Sequence, residues 1–224
     1  MKNHSRGEST VKKELRNCTL SILGDSYSTF EGQVPAGNYI FYPYADIHDV
    51  VCPADTWWYQ LIQKRHFDLL INDSSSGTTV STSVRPEHRV EDAFVRRMKY
   101  SLSPEGVGGR KPDCIILFGG TNDDWLDVPL GRLTYGGWTE EDLRQLLPAY
   151  CYMLSETVKN NPQAEVFAVV NTDMKKETSA GMAEACAHYG VHCVVLQGIS
   201  KQFGHPDRLG MRQIAEQIDK AMEQ

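Results

Sequence analysis

Residues 114–123 read Cys114-Ile115-Ile116-Leu117-Phe118-Gly119-Gly120-Thr121-Asn122-Asp123, five apolar residues followed by a small, glycine-bearing turn. An apolar run without alternation suits a strand buried on both faces, and the turn suits entry into a helix. The pattern recurs on both sides. Residues 19–23 lead into Gly24-Asp25-Ser26-Tyr27-Ser28, and residues 67–71 into Asn72-Asp73-Ser74-Ser75-Ser76-Gly77. Runs at 166–170 and 191–196 bring the set to five. Helix-like stretches fall between them at 55–64, 86–100, 140–159, 179–189 and 208–222, the third preceded by Thr139 as a predicted N-cap. Strands alternating with helices predict a three-layer α/β/α domain with a mainly parallel sheet.

The 224 residues are few enough for one core, so a polar leader over 1–17 and a single domain over 18–224 are expected. Twenty-three basic residues against 29 acidic ones give a charge of −6, which argues against nucleic acid and anionic membrane partners. No apolar run approaches the ~18 residues that span a bilayer. The leader lacks the apolar core of a secretory signal, which predicts a cytoplasmic protein. Six scattered cysteines form no C-x-x-C pair, and no H-E-x-x-H or His/Cys cluster appears. Buried free thiols, no metal and no cofactor are the expectation.

Ligands in open parallel sheets bind outside the carboxyl ends of the strands, which is where the three polar turns converge. Ser26 directly follows a strand, in a turn eased by Gly24, and its hydroxyl needs a base to become a nucleophile. His4 lies in the leader, and His88 and His188 fall on predicted helices. His66 and His192 lie at the far ends of strands. His205 is placed differently, after the fifth strand, with Pro206 suited to the first turn of the last helix. It is the preferred base, with His48 in reserve. The backbone N–H groups of Ser26 and Gly77 and the Asn122 amide could together stabilise an oxyanion.

Gly24-Asp25-Ser26, the glycine of the second block, Gly120-Thr121-Asn122-Asp123 and the late His205-Pro206 resemble, in order, the four blocks of the SGNH, or GDSL-type, hydrolase superfamily. The resemblance spans residues 24 to 206 and implies a flavodoxin-like sheet of order 2-1-3-4-5. It implies Ser26 as nucleophile, His205 as general base, and Ser26, Gly77 and Asn122 as the oxyanion hole, with Asp25 supporting the loop. One departure matters. The family places an aspartate three residues before the histidine, and here that residue is Gln202. An amide cannot supply the charge that stabilises an imidazolium. A backbone carbonyl near Lys201 or Gln202 could orient the ring, Asp207 or Asp173 could take over, or activity could be weak or lost. The first is preferred.

Residues 27–55 are too long for an ordinary βα connection and carry Phe30, Tyr39, Phe41, Tyr42 and Tyr44. Residues 125–138 carry Trp125, Tyr135 and Trp138. Tyr42, Trp125 and Trp138 are the expected substrate-binding walls, although such rings suit a homo-oligomer contact almost as well. Trp57 and Trp58 suit core and cleft-floor packing. The walls lack the apolar runs of a lipase flap, so a serine esterase acting on small or sugar-borne acyl esters is the leading expectation. A thioesterase or lysophospholipase would use the same residues. The rival class is a non-catalytic small-molecule or carbohydrate binder, with residues 72–79 as an anion nest.

Overall fold

The five apolar runs form one parallel sheet, with β1 at Thr19–Gly24, β2 at Asp68–Ser74, β3 at Cys114–Phe118, β4 at Glu165–Val170 and β5 at His192–Val195. The computed structural model describes residues 14–224 apart from Ala45, so most of the polar leader, with His4, lies outside the described residues. The strand order is β2-β1-β3-β4-β5, and every neighbouring pair is parallel. Parallel neighbours require long crossovers, here made by helices. These are α1 at Trp57–Arg65, α2 at Phe94–Ser101, α4 at Leu146–Asn160 and α5 at Lys176–Tyr189, with α6 at Arg208–Ala221 closing the chain. A short α3, Thr121–Trp125, follows β3.

Both faces of the sheet are covered, which is why the strands do not alternate apolar with polar. Cys114, Ile116 and Phe118 of β3 pack with Trp57, Trp58 and Leu61 of α1 and Met211, Ile214 and Ile218 of α6. Ile115 and Leu117 turn the other way, into a second core with α2, α4 and α5. Full burial of each such side chain contributes roughly 1.5–3 kcal/mol. The order reverses between β1 and β3, so the crevice beyond their carboxyl ends is where a ligand has room. Ser26 and Asn122 stand on its two sides.

Several predicted boundaries move. α2 begins at Phe94 instead of residue 86, after a 3-10 turn at Val90–Asp92. Its first N–H groups, those of Phe94 and Val95, donate to the Thr79 and Val80 carbonyls, which fixes the start. α4 begins at Leu146 instead of residue 140 because Thr139 and Asp142 close a 3-10 turn between themselves. The N–H groups of Leu146 and Leu147 then find Pro129 and Leu130 carbonyls. The last helix is capped by Asp207, whose carboxylate accepts from Gly210 N–H, and Pro206 lies outside it. Pro206 belongs instead to a two-stranded hairpin absent from the sequence reading, β6 at Lys201–Gln202 and β7 at His205–Pro206. None of the six cysteines is in a disulfide; Cys114, Cys151 and Cys186 are buried as expected, but Cys18 and Cys193 are half-buried and Cys52 is exposed.

Candidate active site

After β1 the chain enters a 3-10 turn, Ser26–Ser28, whose N-cap is Asp25. Gly24 is needed there because a Cβ would stand 2.5 Å from Ser74 Oγ. The Trp57 indole N–H donates to Tyr27 O at 3.1 Å and Ser28 Oγ at 3.2 Å, supporting the turn from below. Asp25 accepts from Tyr27 N–H at 3.1 Å, and its other oxygen is buried with no partner among the described residues. Burial pushes its pKa up to about 7, against the opposing pull of Tyr27 N–H and Arg97.

Ser26 is only 4% exposed, and its Oγ lies 2.9 Å from His205 Nε2. The hairpin delivers the histidine across 179 residues of sequence. At its tip Phe203 and Gly204 have φ of 50° and 77°, the signature of the tight turn whose twist matches a hairpin. The Tyr27 hydroxyl donates to Gly204 O at 2.6 Å and the Tyr42 hydroxyl to Pro206 O at 2.8 Å, fastening the hairpin to the body.

No described carboxylate orients His205. Gln202 pairs with it across the hairpin but is exposed, with no side-chain hydrogen bond among the described residues. Asp207 is committed to Ser200 Oγ at 2.6 Å and Gly210 N–H, and Asp173 accepts from Lys201 at 3.1 Å. The acceptor facing Nδ1 is the Phe203 carbonyl at 3.3 Å, one residue beyond the pair named from sequence. His48 contacts the His205 carbonyl at 3.4 Å and does not reach Ser26. The Phe41 ring stacks on the imidazole, centroids 3.6 Å apart and planes within 9°. Burial lowers the His205 pKa from 6.5 to about 4, with the Phe203 carbonyl opposing and His48 and Lys201 adding repulsion. A neutral imidazole at 2.9 Å from a hydroxyl can accept its proton.

Neither Ser26 N–H nor Gly77 N–H has a backbone acceptor among the described residues. Gly77 has φ of +74°, and a Cβ there would strike the His88 ring at 2.7 Å. The Asn122 amide donates to Thr78 O at 3.0 Å, which fixes the Gly77 loop and leaves its second N–H without an acceptor among the described residues. The buried Asp123 accepts from Val80 and Ser81 N–H groups at 2.7 and 3.0 Å, anchoring the same loop.

Ser26 and His205 open onto a cleft of about 350 Å³ whose walls include Tyr39, Phe41, Arg85, His88 and Trp125. Of the rings expected to bind substrate, only Trp125 lines it, 44% exposed. Tyr42 is fully buried, its hydroxyl spent on the hairpin, and Trp138 donates to Thr134 O and packs on Tyr152 beside the second core. Both depart from expectation because burial wins over display for a large ring near a core. His88 departs in the opposite direction. It is on a loop, not a helix, and stacks on Tyr39 with centroids 4.3 Å apart. Among the described residues no group of three or more His, Cys, Asp or Glu could hold a metal ion, and no helix is long and apolar enough to cross a membrane.

The profile of the GDSL-like Lipase/Acylhydrolase family matches residues 18–222. The chain belongs to that family. A crystal structure from Bacteroides uniformis, provisionally named a GDSL-like lipase, is 37% identical, with 92% of this chain and 96% of that chain covered and a TM-score of 0.85. A second, from Bacteroides ovatus with the same provisional name, is also 37% identical, covers 92% and 98% of the two chains, and has a TM-score of 0.84. An acetyl xylan esterase, Est2A, from the rumen bacterium Butyrivibrio proteoclasticus shares the fold at 15% identity, with 93% and 64% covered and a TM-score of 0.63. No curated protein matches the chain.

Within this GDSL-like frame, one arginine went unnoticed in the sequence. Arg97, on α2, donates to Asp73 O at 2.6 Å, Asp73 Oδ1 at 2.9 Å, Gly24 O at 3.1 Å and Thr78 Oγ1 at 3.2 Å. It ties the ends of β1 and β2 to the Gly77 loop. In sequence it is one cation of several on a helix, and nothing local marks it.

Proposed function

We propose that the protein is a serine esterase that removes small acyl groups, acetyl above all, from carbohydrate-borne esters through an acyl-enzyme intermediate. The observation that carries this reading is the 2.9 Å contact between Ser26 Oγ and His205 Nε2 at the floor of an open cleft. Ser26 Oγ attacks the ester carbonyl as His205 Nε2 takes its proton, and the C–O bond to the alcohol breaks as His205 returns that proton to the leaving oxygen. Water, deprotonated by His205, then releases the acid and restores Ser26. The oxyanion of each tetrahedral intermediate is held by Ser26 N–H, Gly77 N–H and the free N–H of Asn122.

Two features replace the family aspartate. The Phe203 carbonyl fixes the tautomer that keeps Nε2 unprotonated, and the Phe41 face lies against the ring when it becomes imidazolium. The cleft is modest in volume and walled by mixed polar and aromatic groups, which suits a sugar better than a long acyl chain.

Labelling with a fluorophosphonate probe tests the reading. Wild type is expected to label, and Ser26→Ala and His205→Ala to lose at least ~10³-fold in labelling rate and in hydrolysis of acetylated sugars. Because His205 titrates near 4, the rate should stay level on acidification past 6.5 and fall only toward pH 4. Folded wild-type protein that never labels would overturn the proposal.

A further inference from the structure

The cleft wall beside the oxyanion loop holds a cation that the chain does not neutralise. Arg85 lines the cleft with Ser26, Gly77 and His205, and its Cδ packs 3.6 Å from where a Gly77 side chain would begin. Its Nε is buried without a hydrogen-bond partner, and no described carboxylate lies within ion-pair distance of its guanidinium. Arg132 and Arg212, the other described arginines without such a carboxylate, are exposed at the surface. The remaining described arginines are paired, Arg97 with Asp73 and Arg208 with Asp55 among them. Glu87 lines the same cleft but is exposed and does not pair with Arg85. His88, packed between Tyr39 and Gly77, has its pKa lowered, chiefly by burial, so Arg85 is the fixed positive charge of this wall.

A half-buried guanidinium without a partner is costly, and its planar fork matches an oxyanion. We infer that Arg85 is a specificity residue that binds an anionic substituent, a carboxylate or a sulfate, on the carbohydrate ester. The inference rests on the esterase reading for the word ester, but the anion site stands on Arg85 itself. The group it recognises lies next to the scissile carbonyl, since Arg85 packs against the residue that offers the oxyanion N–H. A protein of net charge −6 repels anions at long range, so a local cation is what would admit one.

Calorimetric titration with methyl glucuronoside, methyl glucoside 6-sulfate and neutral methyl glucoside tests this without requiring turnover. At least one anionic glycoside is expected to bind about tenfold or more tightly than the neutral one, by a margin that shrinks as salt is raised. Whichever binds tighter identifies the substituent. In Arg85→Gln the margin should fall to within threefold, and Arg85→Lys, which keeps the charge but not the fork, should recover part of it. Melting curves of both variants check that they fold. Acetylated forms of the same sugars then read the preference as a ratio of kcat/KM values. Equal binding of all three probes to wild type, or an unchanged margin in a folded Arg85→Gln, overturns the inference. Absent fluorophosphonate labelling with a clear anion margin would instead sink the esterase reading and leave the anion site standing.

Discussion

The two halves of the Ser26–His205 pair are held in opposite ways. Ser26 sits in a turn between the C-terminal end of β1 and the Trp57 indole, with a buried carboxyl at its cap. His205 rides on a hairpin of two residues per strand, whose tip residue Phe203 is 69% exposed. The first is positioned by the core and the second by a few specific contacts. Disturbing the Ser26 turn should therefore register as stability, and disturbing the hairpin as rate.

The largest expected effect is on the core side. Trp57→Ala removes a fully buried indole and its bonds under the turn, and should cost ~3–5 kcal/mol in urea unfolding. Asp25→Asn tests the same turn through pH. The folded-state pKa of Asp25 lies above its unfolded value of 3.8, at about 7, so the folded protein holds the extra proton between those values. Wild-type stability should consequently fall as pH rises through that window, by up to a few kcal/mol, while Asp25→Asn loses that slope. A parallel pH dependence in the two proteins would show that Asp25 is ionised throughout.

On the hairpin side, Phe41→Leu keeps apolar volume but removes the ring face. We expect about a tenfold loss in kcat, a weaker effect on KM, and recovery in Phe41→Tyr. Tyr27→Phe deletes the hydroxyl that fastens Gly204 and should lower stability by ~1 kcal/mol, with a several-fold loss of rate. Gln202→Ala should change the rate by less than tenfold, because the side chain holds nothing. A loss comparable to His205→Ala would show that Gln202, not the Phe203 carbonyl, orients the imidazole.

The same contrast explains what could be read from sequence. The strands were legible because burial on both faces writes an unbroken apolar run, and Ser26, Gly77 and Asn122 because they abut those runs. His205 was legible only as a residue after the last strand. Its hairpin is too short to leave a periodic pattern, and the Phe203 carbonyl carries no side-chain signature. Tyr42 and Phe41 are adjacent aromatics, and composition could not say that one would be buried and the other stacked on His205. Arg97 and Arg85 lie within a dozen residues of each other. Only the folded loops reveal that one is surrounded by acceptors and the other faces a cleft with no hydrogen-bond partner for its Nε among the described residues.

The acceptor opposite His205 Nδ1 is a main-chain carbonyl, so every amino acid that could replace Phe203 carries it too. No codon change at that position can erase the group, whereas a single base change can turn an aspartate into an asparagine. A histidine oriented in this way keeps its acceptor through a change of side chain and loses it through a change in the path of the turn. The hairpin tip should therefore vary only among residues that tolerate its positive φ, and very little in how many residues it has.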